Sequence, residues 1–399
     1  MTTTTEKPVL ANAVETSDRV ASHLHPEGSF EVDQHPVPTG LEEIWRFTPL
    51  KRLRGLHKDA ALRTGGLAVE VEAPEPVTVT EVAAGDAVVG SSGYVPTDRI
   101  SARAWQAAER VSVVTVPREA EVADPIVLRH RGEGREEATA GHTVIVAEPH
   151  SVATVVLIFT GSATVADVVE VVVGDGARLT VVSLQDWDDD AVHVSHHAAH
   201  VGRDASLKHI SVTFGGDLVR VNTDVNYAGP GGEAELLGLY FADAGQHLEN
   251  RLFVDHNQPR TKSNVDYKGA LQGDGAHAVW IGDVLIRKVA EGIETYESNK
   301  NLLLTDGARA DSVPNLEIET GEIAGAGHAS TTGRFDDQQL FYLRSRGIPE
   351  EEARRLVVHG FFADIVRRIG VPDIEQKLMD AVEAELAQHV GVADEQQVG

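Results

Sequence analysis

The sequence predicts a mainly β protein: a parallel β-helix core with a small, partly helical N-terminal region and a C-terminal helical domain. Three observations carry that prediction. From about Leu67 to Glu317 the apolar pattern has a period of two, as in Val111-Ser112-Val113-Val114-Thr115-Val116 and Thr143-Val144-Ile145-Val146. β-Branched runs bounded by Gly, Asp and Pro are the signature of strands. A short phrase then returns through that stretch, and the last 65 residues change to helical spacing.

The first segment, residues 1–65, opens with a polar, Thr-rich run over 1–18 that is expected to be disordered. Pro26, Pro36 and Pro38 break up the next stretch of chain. Leu41, Ile44, Trp45 and Phe47 are spaced for a short helix ending near Pro49, and the stretch Leu50–Leu56 is strongly basic.

Residues 66–335 form the expected β-helix core. The phrase Gly174-Asp-Gly-Ala-Arg-Leu179 returns at Gly202–Leu207, Gly231–Leu236, Gly273–Ala278 and Thr305–Ala310. Its shared alanines fall at 177, 205, 234, 276 and 308, in steps of 28, 29, 42 and 32. Each phrase reads as a tight turn followed by an alternating strand. Periods of this length belong to stacked units, each covering the apolar face of the last. A sandwich or jelly roll is the alternative, but its shorter hairpin spacing and Asn-Gly turns are missing. No amphipathic helix is expected across about 250 residues, which argues against an alternating β/α architecture.

Residues 336–399 form the expected helical domain. Asp336 and Gln339 make a capping box for a helix through Leu340 and Leu343 to Gly347. Pro349 and Glu350–Glu352 suit the first turn of a second helix, with Ala353, Leu356, Val357, Phe361 and Ile365 at helical spacing and Gly370 as its stop. A third helix comes after Pro372, with Ile374, Leu378, Val382 and Leu386 on one stripe.

Composition limits the chemistry. The 399 residues carry 35 basic and 62 acidic side chains, a net charge of −27. That balance argues against a nucleic-acid partner, because phosphate contacts need clustered Lys and Arg. With no cysteine in the chain, disulfides, thiolate zinc sites, cysteine nucleophiles and all-cysteine clusters are excluded for it acting alone. No apolar run reaches the length of a membrane span, and the N-terminus lacks the pattern of a leader, so a cytoplasmic location is expected.

Several constellations invite a site. His193, His196, His197 and His200 lie within eight residues. On a strand they divide two and two between faces, each pair about 13 Å apart, too far for one metal. On a helix all four would share a face fit for zinc. The flanking valines favour a strand with a solvated histidine face. Asp186 and Asp188–Asp190 read as a solvated turn rather than a calcium loop or a paired-carboxylate site. Phosphate-loop and nucleophile-elbow motifs are missing, and Gly325–His328 resembles a phosphate turn only superficially.

The C-terminal half is more specific. Tyr296–Leu304 (YESNKNLLL), Asp311–Ile318 (DSVPNLEI), Gly327–Asp336 (GHASTTGRFD) and Leu340–Ile348 (LFYLRSRGI) succeed one another in order, and Trp45–Leu50 (WRFTPL) precedes them. Together they resemble the shared core of the SufB/SufD family of iron–sulfur cluster assembly proteins over about residues 40–370. Lacking cysteine, the chain is more similar to the SufD branch than to SufB, which is expected to carry sulfur-receiving cysteines.

That resemblance implies a right-handed parallel β-helix and a scaffold with no catalysis of its own. A SufB-like subunit would pair with it through the β-helix, and self-pairing is a further expectation for the isolated chain. A SufC-like ATPase would dock on Leu340–Gly347 and Glu350–Ile369, its ATP hydrolysis straining the SufB–SufD interface. Transient iron or a nascent cluster would be shared with SufB, with none stably bound by this chain alone.

His328, which opens the phrase H-x-x-T-x-G, is the residue that the resemblance marks as a ligand for iron or cluster. Relatives can carry a cysteine two positions earlier, where this chain has Ala326. The plainer role for His328 is packing or hydrogen bonding in a tight turn. The competing functions are a β-helix polysaccharide lyase or hydrolase and a solenoid interaction protein without metal.

Overall fold

The computed structural model describes Leu24 and residues 27–335, 337–370 and 372–388. The expected tail over 1–18 lies outside the described residues, as does Asp336 of the expected capping box. The N-terminal region builds no α-helix over 41–56. It runs instead through short 3-10 turns at Val32–Gln34, Glu43–Trp45 and Leu50–Leu53. Pro49 interrupts the helical spacing, and Arg54 and Gly55 then turn the chain back in the left-handed region (φ 48° and 83°).

Strands β1 (Leu62–Thr64), β2 (Leu67–Glu72) and β3 (Thr78–Ala83) come next. They are followed by a helix the period-two pattern did not announce, α1 (Arg99–Ala107). Its start is chemically explicit: the Asp98 carboxylate accepts from the Ile100 and Ser101 amides at 2.7 and 3.0 Å. With nine residues it is too short to impose a visible helical period.

The solenoid begins with β4 (Arg110–Val116), β5 (Ile126–Ala147) and β6 (Val152–Val173). β5 and β6 are long because each serves two sheets. Residues 152–161 of β6 pair with β7 (Arg178–Trp187), and residues 164–173 pair with β8 (Val192–Val201). Between the halves, Gly132 and Gly161 stand in register; a Cβ on either would come within 2.4 Å of a neighbouring carbonyl oxygen, so only glycine fits this corner.

Thereafter strands alternate between the sheets: β9 (Ser206–Thr213), β10 (Leu218–Tyr227), β11 (Glu233–Ala242), β12 (His247–His256), β13 (Lys262–Leu271), β14 (His277–Ile286), β15 (Glu294–Leu303), β16 (Arg309–Ile318) and β17 (Gly325–Arg334). All pairings from β5 to β17 are parallel, in a solenoid of about eight turns, as the repeats predict.

The first sheet runs β7-β9-β11-β13-β15-β17 and the second β8-β10-β12-β14-β16. Register-matched positions on the first, Arg178, Ser206, Glu233, Lys262, Glu294 and Gly325, lie 28, 27, 29, 32 and 31 residues apart. The odd step of 42 in the sequence repeat is thereby explained. Ala177, Ala205 and Ala234 open strands of the first sheet, whereas Ala276 and Ala308 precede β14 and β16 of the second. The phrase changes side once and then resumes its coil-length spacing.

The core fills the space between the two sheets with inward valines, leucines and alanines, from Val155 and Val181 through Leu207, Leu236 and Val265 to Val284. Burial of this branched surface, at about 25 cal/mol per Å2, is the main force holding the coils together. Each sheet also has a covered outer face. The N-terminal region packs Trp45, Leu53 and Leu56 over Ala166, Val194 and Leu218 of the second sheet.

On the first sheet sit α3 (Glu350–Ile369) and α4 (Pro372–Gln388), preceded by α2 (Asp337–Ser345). Val358, Phe362, Ile365, Val366 and Ile369 of α3 and Leu378 and Val382 of α4 join Ile210, Leu237 and Phe241 in one cluster. Arg368 fastens α3 to the sheet through Asp266 and Glu235, at 2.7 and 2.9 Å.

The buried stripe of α3 differs from the expected one: Ala353 and Ile365 are buried, but Leu356 is 47% exposed and Phe361 only partly covered. In α4, Leu378 and Val382 are buried as expected, while the side chains of Ile374 and Leu386 lie outside the described set.

Candidate functional site at the open end of the solenoid

The four specific phrases of the C-terminal half converge in space. They form β15, β16, β17 and α2, which are the last coil of the solenoid and the first helix of the tail. Among the described residues β16 forms a ladder only with β14 and β17 only with β15, so the outer edge of each carries unpaired backbone groups.

Alternation decides which side chains of this coil face the interior. On β15 the inward set is Thr295, Glu297, Asn299 and Asn301, all buried, and their register partners on β17 are Ala326, His328, Ser330 and Thr332. Ala326 touches the central apolar core, which fixes the inward face of β17. His328 therefore sits mid-strand on the inner side of the last strand, beside Glu297, and is exposed. A tight turn is not its setting, and Gly325–His328 is extended strand instead of a phosphate loop.

Polar contacts close this end. Ser330 Oγ donates to Ser312 Oγ of β16 at 2.7 Å, linking the two sheets. One layer deeper, Asn299 Nδ2 donates to Tyr240 Oη at 2.9 Å, and Tyr240 in turn donates to Asn301 Oδ1 at 2.6 Å.

Glu297 stands apart from that network. Its side chain is 2% exposed, and Oε2 is buried without a hydrogen-bond partner. Burial, with Asp283 nearby, pushes its carboxyl up to about 8. The room it occupies is left by Gly282, where a Cβ would lie 2.9 Å from Glu297 Oε2 and 2.4 Å from the Trp280 ring. Sequence reasoning passed over Glu297, although a carboxylate at an inward-alternating position of a strand was a usable signal.

The histidines of β8 form no solvated face. His193, His196 and His197 are 0%, 3% and 1% exposed. The reason is non-local: one side of β8 faces the solenoid interior and the other lies beneath the N-terminal region. Inside, His193 bridges Asp167 Oδ1 (3.0 Å) and Gln185 Oε1 (2.7 Å), and His197 Nδ1 meets His209 Nε2 at 2.8 Å. Outside, His196 pairs with Asp224 at 2.7 Å under the Tyr94 ring, and His200 with Asn226. Burial alone would lower His196, but the Asp224 carboxylate outweighs it and raises the imidazole above its ordinary value.

Among the described residues no group of three or more His, Asp or Glu side chains is arranged to hold a metal. Asp186, Asp188 and Asp189 are exposed where β7 turns into β8, and Asp190 pairs with Arg135 at 3.3 Å.

Beside the open end, the tail presents apolar surface. Phe341 and Tyr342 of α2 are 74% and 56% exposed, close in sequence to the exposed Leu356 of α3. No described helix is long and apolar enough to cross a membrane.

Known proteins resemble this chain along most of its length. Residues 130–361 match the family model described as the SUF system FeS cluster assembly, SufBD core domain. The chain is 56% identical over 364 residues to an iron–sulfur cluster assembly SufBD family protein of Mycobacterium bovis, covering 90% of this chain and 91% of the relative. A Mycobacterium leprae protein of the same description is 55% identical over 364 residues, 90% of this chain and 93% of the relative. The iron–sulfur cluster assembly protein SufD of Bacillus subtilis is 29% identical over 275 residues, 67% of this chain and 62% of the relative.

Proposed function

The chain belongs to the SufBD family of SUF-system iron–sulfur cluster assembly proteins, and on that premise we propose that it is a SufD-type scaffold subunit. In this reading it has no catalytic step of its own and works in the cytoplasm. Its open end pairs with a cysteine-bearing SufB-type subunit, and α2 and α3 receive a SufC-type ATPase. His328 contributes a ligand to iron or to a nascent cluster, which is cargo rather than a resident cofactor.

The observation that carries the proposal is the convergence at one end of the molecule. Two unpaired strand edges, an inward-set but exposed imidazole and the family's signature phrases all meet there. Edge strands are templates for another sheet, and a histidine at such a seam is open to a second set of ligands. Having no thiol, this chain offers no all-cysteine cluster site of its own, and imidazole with carboxylate binds iron less permanently than four thiolates. A scaffold that must release its product gains from that weakness.

Co-expression with a SufB-type and a SufC-type protein tests the assembly, with a ternary complex expected on affinity purification. His328→Ala should leave that complex intact and lower its iron content or cluster yield. Unchanged iron and yield would remove His328 from the mechanism. Phe361→Asp is a poor probe of ATPase docking, because the Phe361 side chain packs on the cluster that holds α3 to the first sheet and its ring centroid lies 5.2 Å from Lys268 Nζ. Leu356→Asp, on the exposed side, is expected to weaken ATPase capture while the chain stays folded.

A further inference from the structure

We propose that Glu297 is the second iron ligand supplied by this chain, so that Glu297 and His328 form a two-ligand half-site completed from outside. The inference rests on the reading of His328 as an iron ligand. It adds a residue that lies inside the phrase Tyr296–Leu304, to which the resemblance assigns no role.

Geometry carries the argument. Glu297 and His328 are register partners on neighbouring parallel strands, on the same inward face. Neighbouring strands lie about 4.8 Å apart, which lets a carboxylate and an imidazole converge on one ion.

The carboxyl also keeps one oxygen, Oε2, buried without a hydrogen-bond donor. A buried oxygen without a donor is costly, and native proteins rarely keep one without a ligand, water or ion in view. Every other inward polar side chain of β15 is spent: Thr295 on Ser263 (2.6 Å), Asn299 on Tyr240 (2.9 Å) and Asn301 on Asn299 (2.7 Å). Glu297 Oε2 alone among them is without a partner. Nor is its space accidental, since at Gly282 any side chain would run into the Trp280 ring and crowd the carboxylate.

Oxygen and imidazole nitrogen together suit a ferrous ion, and two protein ligands leave most of its positions free. Because no third His, Asp or Glu is placed to join them among the described residues, the site is incomplete in this chain. Its remaining ligands would be water in the isolated protein and donor groups of the subunit that closes the open end.

The test is an anaerobic titration of the purified full chain with Fe(II) alone, read by competition with a chromogenic chelator. Wild type, His328→Ala, Glu297→Gln and Glu297→Thr are compared, with circular dichroism melts to confirm folding. Loss of an outer-shell partner already costs about 10–100-fold in metal affinity, so loss of a ligand should weaken binding by about tenfold or more. The proposal expects that loss in His328→Ala and in both Glu297 variants, with Glu297→Thr deciding if Glu297→Gln does not fold. Wild-type affinity in a folded Glu297 variant, with His328→Ala impaired, overturns the role of Glu297 and leaves His328 standing. A wild-type chain that takes up no Fe(II) overturns both.

Discussion

Tyr267 lies where a side chain on Gly238 would have to be. The two are register partners on β13 and β11, and a Cβ at position 238 would fall 1.9 Å from Tyr267 Cδ1. Two residues along, the relation inverts: Tyr240 covers Gly269, whose Cβ would meet the ring at 1.9 Å. The aromatic rings thus fill the solenoid interior sideways, each over its neighbour's glycine.

Gly238→Ala should therefore force Tyr267 out of place. Overpacking of this kind costs about 1–3 kcal/mol, which urea denaturation followed by circular dichroism would register. Equal stability of variant and wild type would mean that the ring has room to spare.

Arg220 offers a second test. Its guanidinium lies 4.0 Å over the Trp45 ring and donates to Ile44 O (2.8 Å), Thr48 Oγ1 (2.6 Å) and Glu249 Oε1 (3.1 Å). It ties the N-terminal region to the second sheet. Burial would raise Glu249, but Arg220, His247 and Arg251 together hold it well below the ordinary carboxylate range. Arg220→Ala leaves that carboxylate buried and should cost about 3–5 kcal/mol. The double variant Arg220→Met/Glu249→Leu should cost less than Arg220→Ala alone, and a larger loss in the double would contradict this role for the pair.

Acid should weaken the fold in a definite window. Burial pushes His130, His197 and His256 down to about 4 from an ordinary 6.5. Between those values the unfolded chain binds more protons than the folded one, so stability is fullest above pH 6.5 and falls as pH drops toward 4. Each imidazole contributes at most about 3 kcal/mol to that slope. His130 stacks on Phe159 at 4.6 Å, so His130→Phe keeps the ring contact. The variant should show a shallower decline of melting temperature with falling pH, and an unchanged slope would assign the effect elsewhere.

The two sides of α3 should respond differently to truncation. Phe362 is fully buried against the first sheet, and Phe362→Ala is expected to cost about 3–5 kcal/mol. Leu356→Ala, on the exposed side, should stay within about 0.5 kcal/mol of wild type in the same denaturation experiment. Comparable losses at both positions would mean that α3 is rotated from this placement.

Much of this architecture is legible in the residues. Tight turns before Arg178, Ser206, Glu233, His277 and Arg309 announce strands, and the tail helices obey their Pro and Gly signals. Where reading failed, the missing information was long-range. Nothing near His196 says that Tyr94 will cover it. In α3 both Leu356-Val357 and Val358-Phe362 fit a helical stripe, and only the sheet beneath chooses between them. Residues 99–107 fit about two turns of helix, too few for periodicity, so only Asp98 could have betrayed them. His328 was found through its phrase; alternation could mark Glu297 as inward, but only the register of the ladder sets it beside His328.

The two ends of the stack are unlike. At the amino-terminal end, β2 and β3 pair antiparallel with their neighbours, are only six residues long and bear Glu70, Glu72 and Glu81. Short, acidic margins of that kind repel further sheets. The opposite end finishes in two ten-residue margins with nothing beyond them among the described strands. In the proposed assembly, a particle open at one pole and blunted at the other joins a single partner instead of growing into a fibre.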